Sequence, residues 1–361
     1  MWRHSLIDLV LLAVAAALLP VRTATSSQHI DKEHLAELTF AAERGSDASA
    51  SNERSCPSSS TGCIQFEGNR QGYQVDPGLA QKFTGQLHPI NDARPACSLE
   101  SDNMELLDIS SHLQVQELHA ETLNVGRKED RLRIGSAMLA ALQARFPSSQ
   151  AVFHVADTSR LDGAVPGEAT VRNTSDTVVR NSHHMFHIDK FMPQVAKAFL
   201  GEKASVSEGA AAMVREFEPW YGPDAEAAGV DLQRIAEAYA ANRVFNLWVS
   251  LTPGHIQQEP LALISRDEVN QDAFMTILMP RASSSNGTNH STIRDSITLV
   301  PKSALNEWTQ IRYRPKMRFG EAFLFSTTSV CHSAVTLLTP DGLPVSPTAG
   351  RVSAEMRVAI L

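Results

Sequence analysis

A chain of 361 residues can bury a full-sized core, so one large domain with a tail is the default architecture. Apolar residues at 43% and charged residues at 20% are ordinary for a globular protein. A net charge of −8 without a long basic run argues against a cationic face for nucleic acid or an anionic membrane, and a small-molecule partner fits better.

In chain order, Arg3 and His4 precede an apolar run over 9–20 (LVLLAVAAALLP), followed by small and polar residues. That is the layout of a secretory signal peptide, and the run is short for a transmembrane span. Asp8 interrupts its upstream edge, and Ala24 has Arg22 at the −3 position of a cleavage site. A cleaved signal over residues 1–24 therefore stands beside an uncleaved anchor or an organelle-targeting signal. The secretory pathway or export is the expected location, with membrane attachment only if the signal is retained. Asn173-Thr-Ser, Asn286-Gly-Thr and Asn289-His-Ser are N-glycosylation acceptors in keeping with export.

Residues 43–62 (ERGSDASASNERSCPSSSTG) are Ser-rich and too poor in apolar side chains to offset their ordering entropy. Residues 25–100 thus read as a flexible N-terminal region, and 101–361 as the folded domain, whose start falls between about residues 65 and 105. Cys56, Cys63, Cys97 and Cys331 allow one or two disulfides, with Cys56 and Cys63 closing a small loop, or simply scattered thiols. They lack the paired spacing of a structural zinc site.

Leu132, Ile134, Met138, Leu139, Leu142 and Phe146 approximate a helical stripe. Residues 190–201 and 225–242 look similar, the latter with Leu232, Ile235, Ala236 and Tyr239. Strand signals then take over at 245–251, 261–265, 274–279, 296–300, 308–313, 322–325, 333–337 and 352–360, punctuated by Pro, Gly, Asn and Asp. Short strands after a helical section predict a mainly β, α+β domain: a jelly roll (cupin-like) or barrel flanked by helices.

The tetrapeptide HIDK occurs twice, at 29–32 and at 187–190. Two histidines and one carboxylate in a facial set leave three coordination positions open, the arrangement of non-haem iron(II) oxygenases. A His-x-Asp pair at a strand end supplies two ligands on one face by period-2 alternation, and a distant His supplies the third. The first copy sits behind the signal-like run, outside any strand context, and reads as coincidence. The second, His187 and Asp189, stands ahead of the strand-rich half, and His332 in GEAFLFSTTSVCHSAV (320–335) is the candidate third ligand.

Downstream, Arg351, Ser353, Glu355 and Arg357 share one face of an alternating strand. An Arg and a Ser two residues apart can grip one carboxylate, the guanidinium as a bidentate donor and the hydroxyl beside it. That suits the distal carboxylate of 2-oxoglutarate. Arg351 and Arg357 lie about 20 Å apart along an extended strand, so they cannot share the task. Arg351, with its Ser partner, is the candidate, and Arg357 reads as a solvated or salt-bridged residue. His183 and His184 read as polar surface, Cys331 as packed core on the opposite face, and Phe245 and Trp248 as core aromatics. Asn246 is a candidate for orienting co-substrate or substrate, with structural hydrogen bonding the plainer role.

Asn242-Arg-Val-Phe-Asn246-Leu-Trp248, then Glu259-Pro-Leu-Ala-Leu-Ile264 and Arg266-Asp-Glu-Val269, resemble the segment R-x-x-N-x-W … P-L-A-L … D-x-x-x-V of the AsaB-like hydroxylase/desaturase family. The C-terminal Gly-Glu-Ala-Phe-Leu-Phe … Cys-His332-Ser-Ala … Arg351-Val-Ser-Ala-Glu-Met-Arg357 is similar to that family's E-A-x-x-F … H-T-A … R-x-S-x-E-x-R. The resemblance spans roughly residues 150–361. It implies a double-stranded β-helix, iron(II), 2-oxoglutarate and dioxygen, with ascorbate as a candidate reductant. It further implies hydroxylation, desaturation or oxidative cyclisation of a small molecule, by a monomer or homodimer. The departures are Val-Ser-Leu-Thr-Pro after Trp248, and His255, Gln257 and Gln258 in the following gap, positions expected to border the substrate. Competing readings are a lumenal peptide or protein hydroxylase, against which the ending Val-Ala-Ile-Leu lacks a KDEL-like signal, and a non-catalytic secreted jelly-roll binding protein. The absence of HExxH argues against a zinc hydrolase.

Overall fold

The computed structural model describes residues 97–125, 127–149, 152–161, 172–174, 177–180, 186–280, 294–300, 302–306, 308–338 and 350–361, with short strand segments between residues 35 and 93. In chain order the main elements are strand β1 (Met104–Asp108), helix α1 (Lys128–Arg145), β2 (Val152–Leu161) and β3 (His187–Ile188). Four helices follow: α2 (Met192–Leu200), α3 (Val206–Glu216), α4 (Glu218–Ala227) and α5 (Leu232–Ala240). Next come β4 (Val244–Ser250), β5 (Leu261–Ser265), β6 (Met275–Pro280) and β7 (Arg294–Leu299). The chain closes with β8 (Arg312–Tyr313), β9 (Glu321–Ser326), β10 (Val330–Ala334) and β11 (Val352–Ile360).

These strands build two sheets. In the first, β2, β11, β4, β9 and β1 are neighbours in that order, all antiparallel, and the pieces Arg172–Thr174 and Thr177–Arg180 extend it beyond β2. In the second, β6, β7, β3, β10, β5 and β8 are neighbours, again antiparallel. Strands alternate between the sheets from β2 to β5 and again from β8 to β11, while β6 and β7 form a hairpin that stays in the second. Short segments from the stretch read as a tail add to sheet edges, Cys63–Gln65 beside β6 and Asn91–Asp92 beside β8.

Alternation along β4 explains why both its faces are buried. Leu247 and Val249 face α1, packing with Ile134, Met138 and Leu142 and with Leu324 and Met356 of the flanking strands. Trp248 points the other way, into a cluster with Phe323, Phe325, Leu261, Leu263 and Val330 that fills the space between the sheets. The outer face of the second sheet, with Ile188, Ala262, Ile264 and Cys331, is covered by Phe191, Phe274, Ile311 and Tyr313. Cys331 therefore packs in the core, opposite His332, and burial pushes its thiol pKa upward despite a backbone hydrogen bond and the charge of Arg266.

The helix between β3 and β4 predicted over 225–242 is two helices, α4 and α5, separated around Gly229, which takes a φ of 65°. The α1 stripe is buried at Ile134, Met138 and Leu142, with Leu139 and Phe146 packed beside them; Leu132 is instead 64% exposed, and Ala137 and Ala141 join the buried face. Of the strand predicted at 308–313 only Arg312–Tyr313 forms, because Asn306 and Thr309 bond each other in a turn that leaves Trp308 exposed. The strand predicted at 333–337 starts earlier, at Val330, and is divided by Val335 from a short piece over Thr336–Leu338. Neither Cys97 nor Cys331 enters a disulfide; Cys56 lies outside the described residues. Among the described residues no helix is long and apolar enough to cross a membrane.

Candidate metal centre

β3 and β10 are adjacent antiparallel strands, and their register sets His187 directly opposite His332. Both rings turn to the face between the sheets, each residue only 5% exposed, with centroids 4.2 Å apart. The chain turns immediately after β3, and Asp189 comes in beside them. Its Oδ1 lies 3.9 Å from Nε2 of His187, and its Oδ2 lies 3.7 Å from Nε2 of His332. Ligand atoms of these three residues all fall within 4.8 Å of one another, close enough to hold one metal ion. His332 Nδ1 sits 3.4 Å from the Val330 carbonyl; protonated there, the ring keeps the Nε2 lone pair turned to Asp189.

Asp189 is fixed from the first sheet. Nδ2 of Asn246 donates to its Oδ2 at 2.6 Å, and the Arg357 guanidinium donates to the same oxygen through Nη2 at 2.6 Å. Burial alone raises the carboxyl pKa, but Arg357, then the two histidines and the Asn246 amide, outweigh it and hold the group well below its ordinary value. Asp189 is therefore an anion, as a metal ligand must be. Asn246 thus meets the aspartate rather than an open co-substrate space. Arg357 is salt-bridged, though inside the site rather than at a solvated strand end. The alternation that placed Arg351, Ser353 and Glu355 on one face had placed Arg357 there too; its partner was invisible because Asp189 is remote in sequence.

A small cleft opens beside the histidines, lined by His187, Trp248, Leu261, His332, Arg351 and Glu355 among others. Arg351 is buried, its guanidinium stacked 5.2 Å from the Trp248 ring centroid and donating to the Glu259 carbonyl. Trp248, read from sequence as core, also forms a wall of this cleft. Ser353 is fully buried with no hydrogen-bond partner for its hydroxyl, and so is Ser250, its direct cross-strand partner on β4. Ser250 escaped the sequence reading, although it shares the face of Asn246 and Trp248. His183, His184 and the first HIDK copy lie outside the described residues.

No protein-family model matches this sequence, and a search of curated proteins finds no match. Among solved structures, the chain is similar to the iron and alpha-ketoglutarate-dependent endoperoxidase NvfI, at 12% identity over 91% of this chain and 97% of that one, with a TM-score of 0.51. A second structure of NvfI, in a different conformation, matches with the same values. At this identity the likeness establishes a shared fold, a mixed helical and antiparallel-sheet architecture.

Proposed function

We propose that this protein is a non-haem iron(II)- and 2-oxoglutarate-dependent oxygenase, with His187, Asp189 and His332 as the metal ligands. The convergence of those three side chains carries the reading: two imidazoles from adjacent strands and one ionised carboxylate from the turn after the first, gathered between the sheets. The alternation of successive strands between two antiparallel sheets supports a double-stranded β-helix, the fold on which such triads sit. The fold shared with NvfI, named for iron and alpha-ketoglutarate, supports the same co-substrate here.

The donor set suits iron. Two neutral nitrogens and one carboxylate oxygen leave open positions for a chelating co-substrate and for dioxygen. Bound there, iron(II) with 2-oxoglutarate and dioxygen supplies the oxidising power to attack an unactivated C–H bond of a small molecule. The protein's part is positioning. Arg351 would take the far carboxylate of 2-oxoglutarate, and the partnerless hydroxyls of Ser353 and Ser250 would donate to it. Trp248 walls the cleft beside the Arg351 guanidinium, which lies over its ring, and would exclude water around the co-substrate. Hydroxylation is the default outcome, with desaturation or cyclisation set by how the substrate is held. The signal-like N-terminal run supports action in the secretory pathway.

The test is anaerobic addition of iron(II) and 2-oxoglutarate to the purified chain. A weak charge-transfer band toward the red end of the visible spectrum is expected, absent from His332→Ala. Equal spectra for both proteins would overturn the assignment.

A further inference from the structure

Asp189 follows a strand of only two residues and has little local scaffold of its own. Three hydrogen bonds closing a triangle around it compensate. Arg357 Nη2 and Asn246 Nδ2 both donate to Oδ2, each at 2.6 Å, while Arg357 Nε donates to Asn246 Oδ1 at 3.0 Å. Asn246 and Arg357 are direct cross-strand partners on β4 and β11, central strands of the first sheet, so their backbones are fixed.

A fourth bond extends the frame. The Thr327 hydroxyl donates to Asn246 Oδ1 at 2.8 Å; Arg357 Nε, which can only donate, and the Asp189 carboxylate, which can only accept, settle the amide's orientation, so its oxygen is taken and its NH2 faces the aspartate. Thr327 is fully buried in the turn between β9 and β10. Its N–H bonds Val244 O at 2.9 Å, and its carbonyl accepts from Lys190 N at 3.2 Å, one residue beyond Asp189. The Asn242 side-chain oxygen collects the hydroxyls of Ser326, Thr328 and Ser329, stiffening the same turn.

From this geometry we propose that Arg357 is a positioning residue of the metal site: with Asn246 it pins Oδ2 of Asp189, so that the carboxylate offers Oδ1 alone to the metal. The inference rests on the metal-site reading above. Each oxygen lies near one histidine, Oδ1 3.9 Å from His187 Nε2 and Oδ2 3.7 Å from His332 Nε2, but an oxygen accepting two short bonds, one from a cation, is a poor ligand atom, and Oδ1 accepts neither of them. Single-oxygen ligation keeps vacant a coordination position that a chelating carboxylate would fill. The role needs the planar fork of arginine, because one side chain must reach Asp189 and Asn246 together; lysine supplies the charge without the second bond.

Cobalt(II) is the probe, titrated into the full chain while its visible ligand-field spectrum, sensitive to coordination number, is recorded. Arg357→Lys and Arg357→Met are expected to shift the spectrum and to weaken cobalt binding by roughly ten- to a hundredfold, with Thr327→Val shifting it the same way by less. If Arg357→Lys keeps the parent spectrum and affinity, charge alone suffices and the positioning role is overturned. Should the Arg357 variants fail to fold, Thr327→Val decides: an unaltered spectrum overturns the proposal. A parent chain that takes up no cobalt, or a His332→Ala variant that binds it equally, would instead overturn the metal-site reading beneath it.

Discussion

His187 and His332 are cross-strand partners whose rings stand 4.2 Å apart, so the second sheet itself, not a loop, fixes their spacing. A site on strands is preorganised: metal binding needs little rearrangement and therefore adds directly to folding stability. In manganese(II) at about a hundredfold over its dissociation constant, the parent is expected to gain roughly 2.7 kcal/mol, seen as a raised melting temperature. His332→Ala should lose that gain. An equal manganese-induced rise in both proteins would place the metal elsewhere.

The buried hydroxyl of Ser250 gives a prediction that separates stability from binding. A buried polar group without a partner costs about 1–3 kcal/mol, so deleting it removes a penalty rather than a bond. Ser250→Ala should match the parent in denaturant midpoint or exceed it. Its affinity for 2-oxoglutarate, measured by calorimetry on the metal-loaded chain, should fall roughly tenfold or more, the worth of a hydrogen bond to a charged group. A variant that is markedly less stable yet binds equally well would mean the hydroxyl serves packing alone.

These two cases show what could be read in the chain. That His187, Asp189 and His332 come together is legible from their spacing and strand context, and that Arg351 and Ser353 share a strand face is legible from period-2 alternation, although Asp189 itself sits in the turn after β3. Asn246 was legible as polar on an apolar strand, but its partner was not, since the contact with Asp189 depends on how the two sheets stack. Arg357 was legible as salt-bridged, but not its partner, for the same reason: a strand pattern says which way a residue points, not what lies there. The α1 stripe departs from expectation at Leu132, which is exposed, while the small Ala137 and Ala141 are buried.

Glycines on the helices offer a paired stability test away from the site. A Cβ on Gly209 of α3 would lie 2.3 Å from Cβ of Ala196 on α2, so the two helices cross where only hydrogen fits. Gly209→Ala should gain helix propensity of up to about 1 kcal/mol and still be destabilised, because overpacking commonly costs about 1–3 kcal/mol and here the obstacle includes backbone. Among the described residues, a Cβ on Gly135 in the middle of α1 would meet nothing closer than 3.6 Å, the flexible end of the Met356 side chain. Gly135→Ala should therefore stabilise by about 0.5–1 kcal/mol. Thermal melts of both variants check the pair, and equal shifts would refute the close crossing.

Acid sensitivity follows from Asp189. Its carboxyl pKa in the folded chain lies well below the ordinary 3.8, burial opposing the shift and Arg357 leading the groups that produce it. The folded state therefore holds its proton less readily than the unfolded state. The stabilisation is complete above the ordinary value and is lost as pH falls toward the folded value. Asp189→Asn cannot titrate and leaves the Arg357 charge without its carboxylate, so it should be less stable than the metal-free parent at pH 7. Its stability should also decline less steeply below about pH 4, so the two curves converge in acid. Urea melts from pH 7 to 3, with chelator present, measure this directly. Parallel curves across that range would show that the Asp189–Arg357 pair contributes nothing to the stability of the fold.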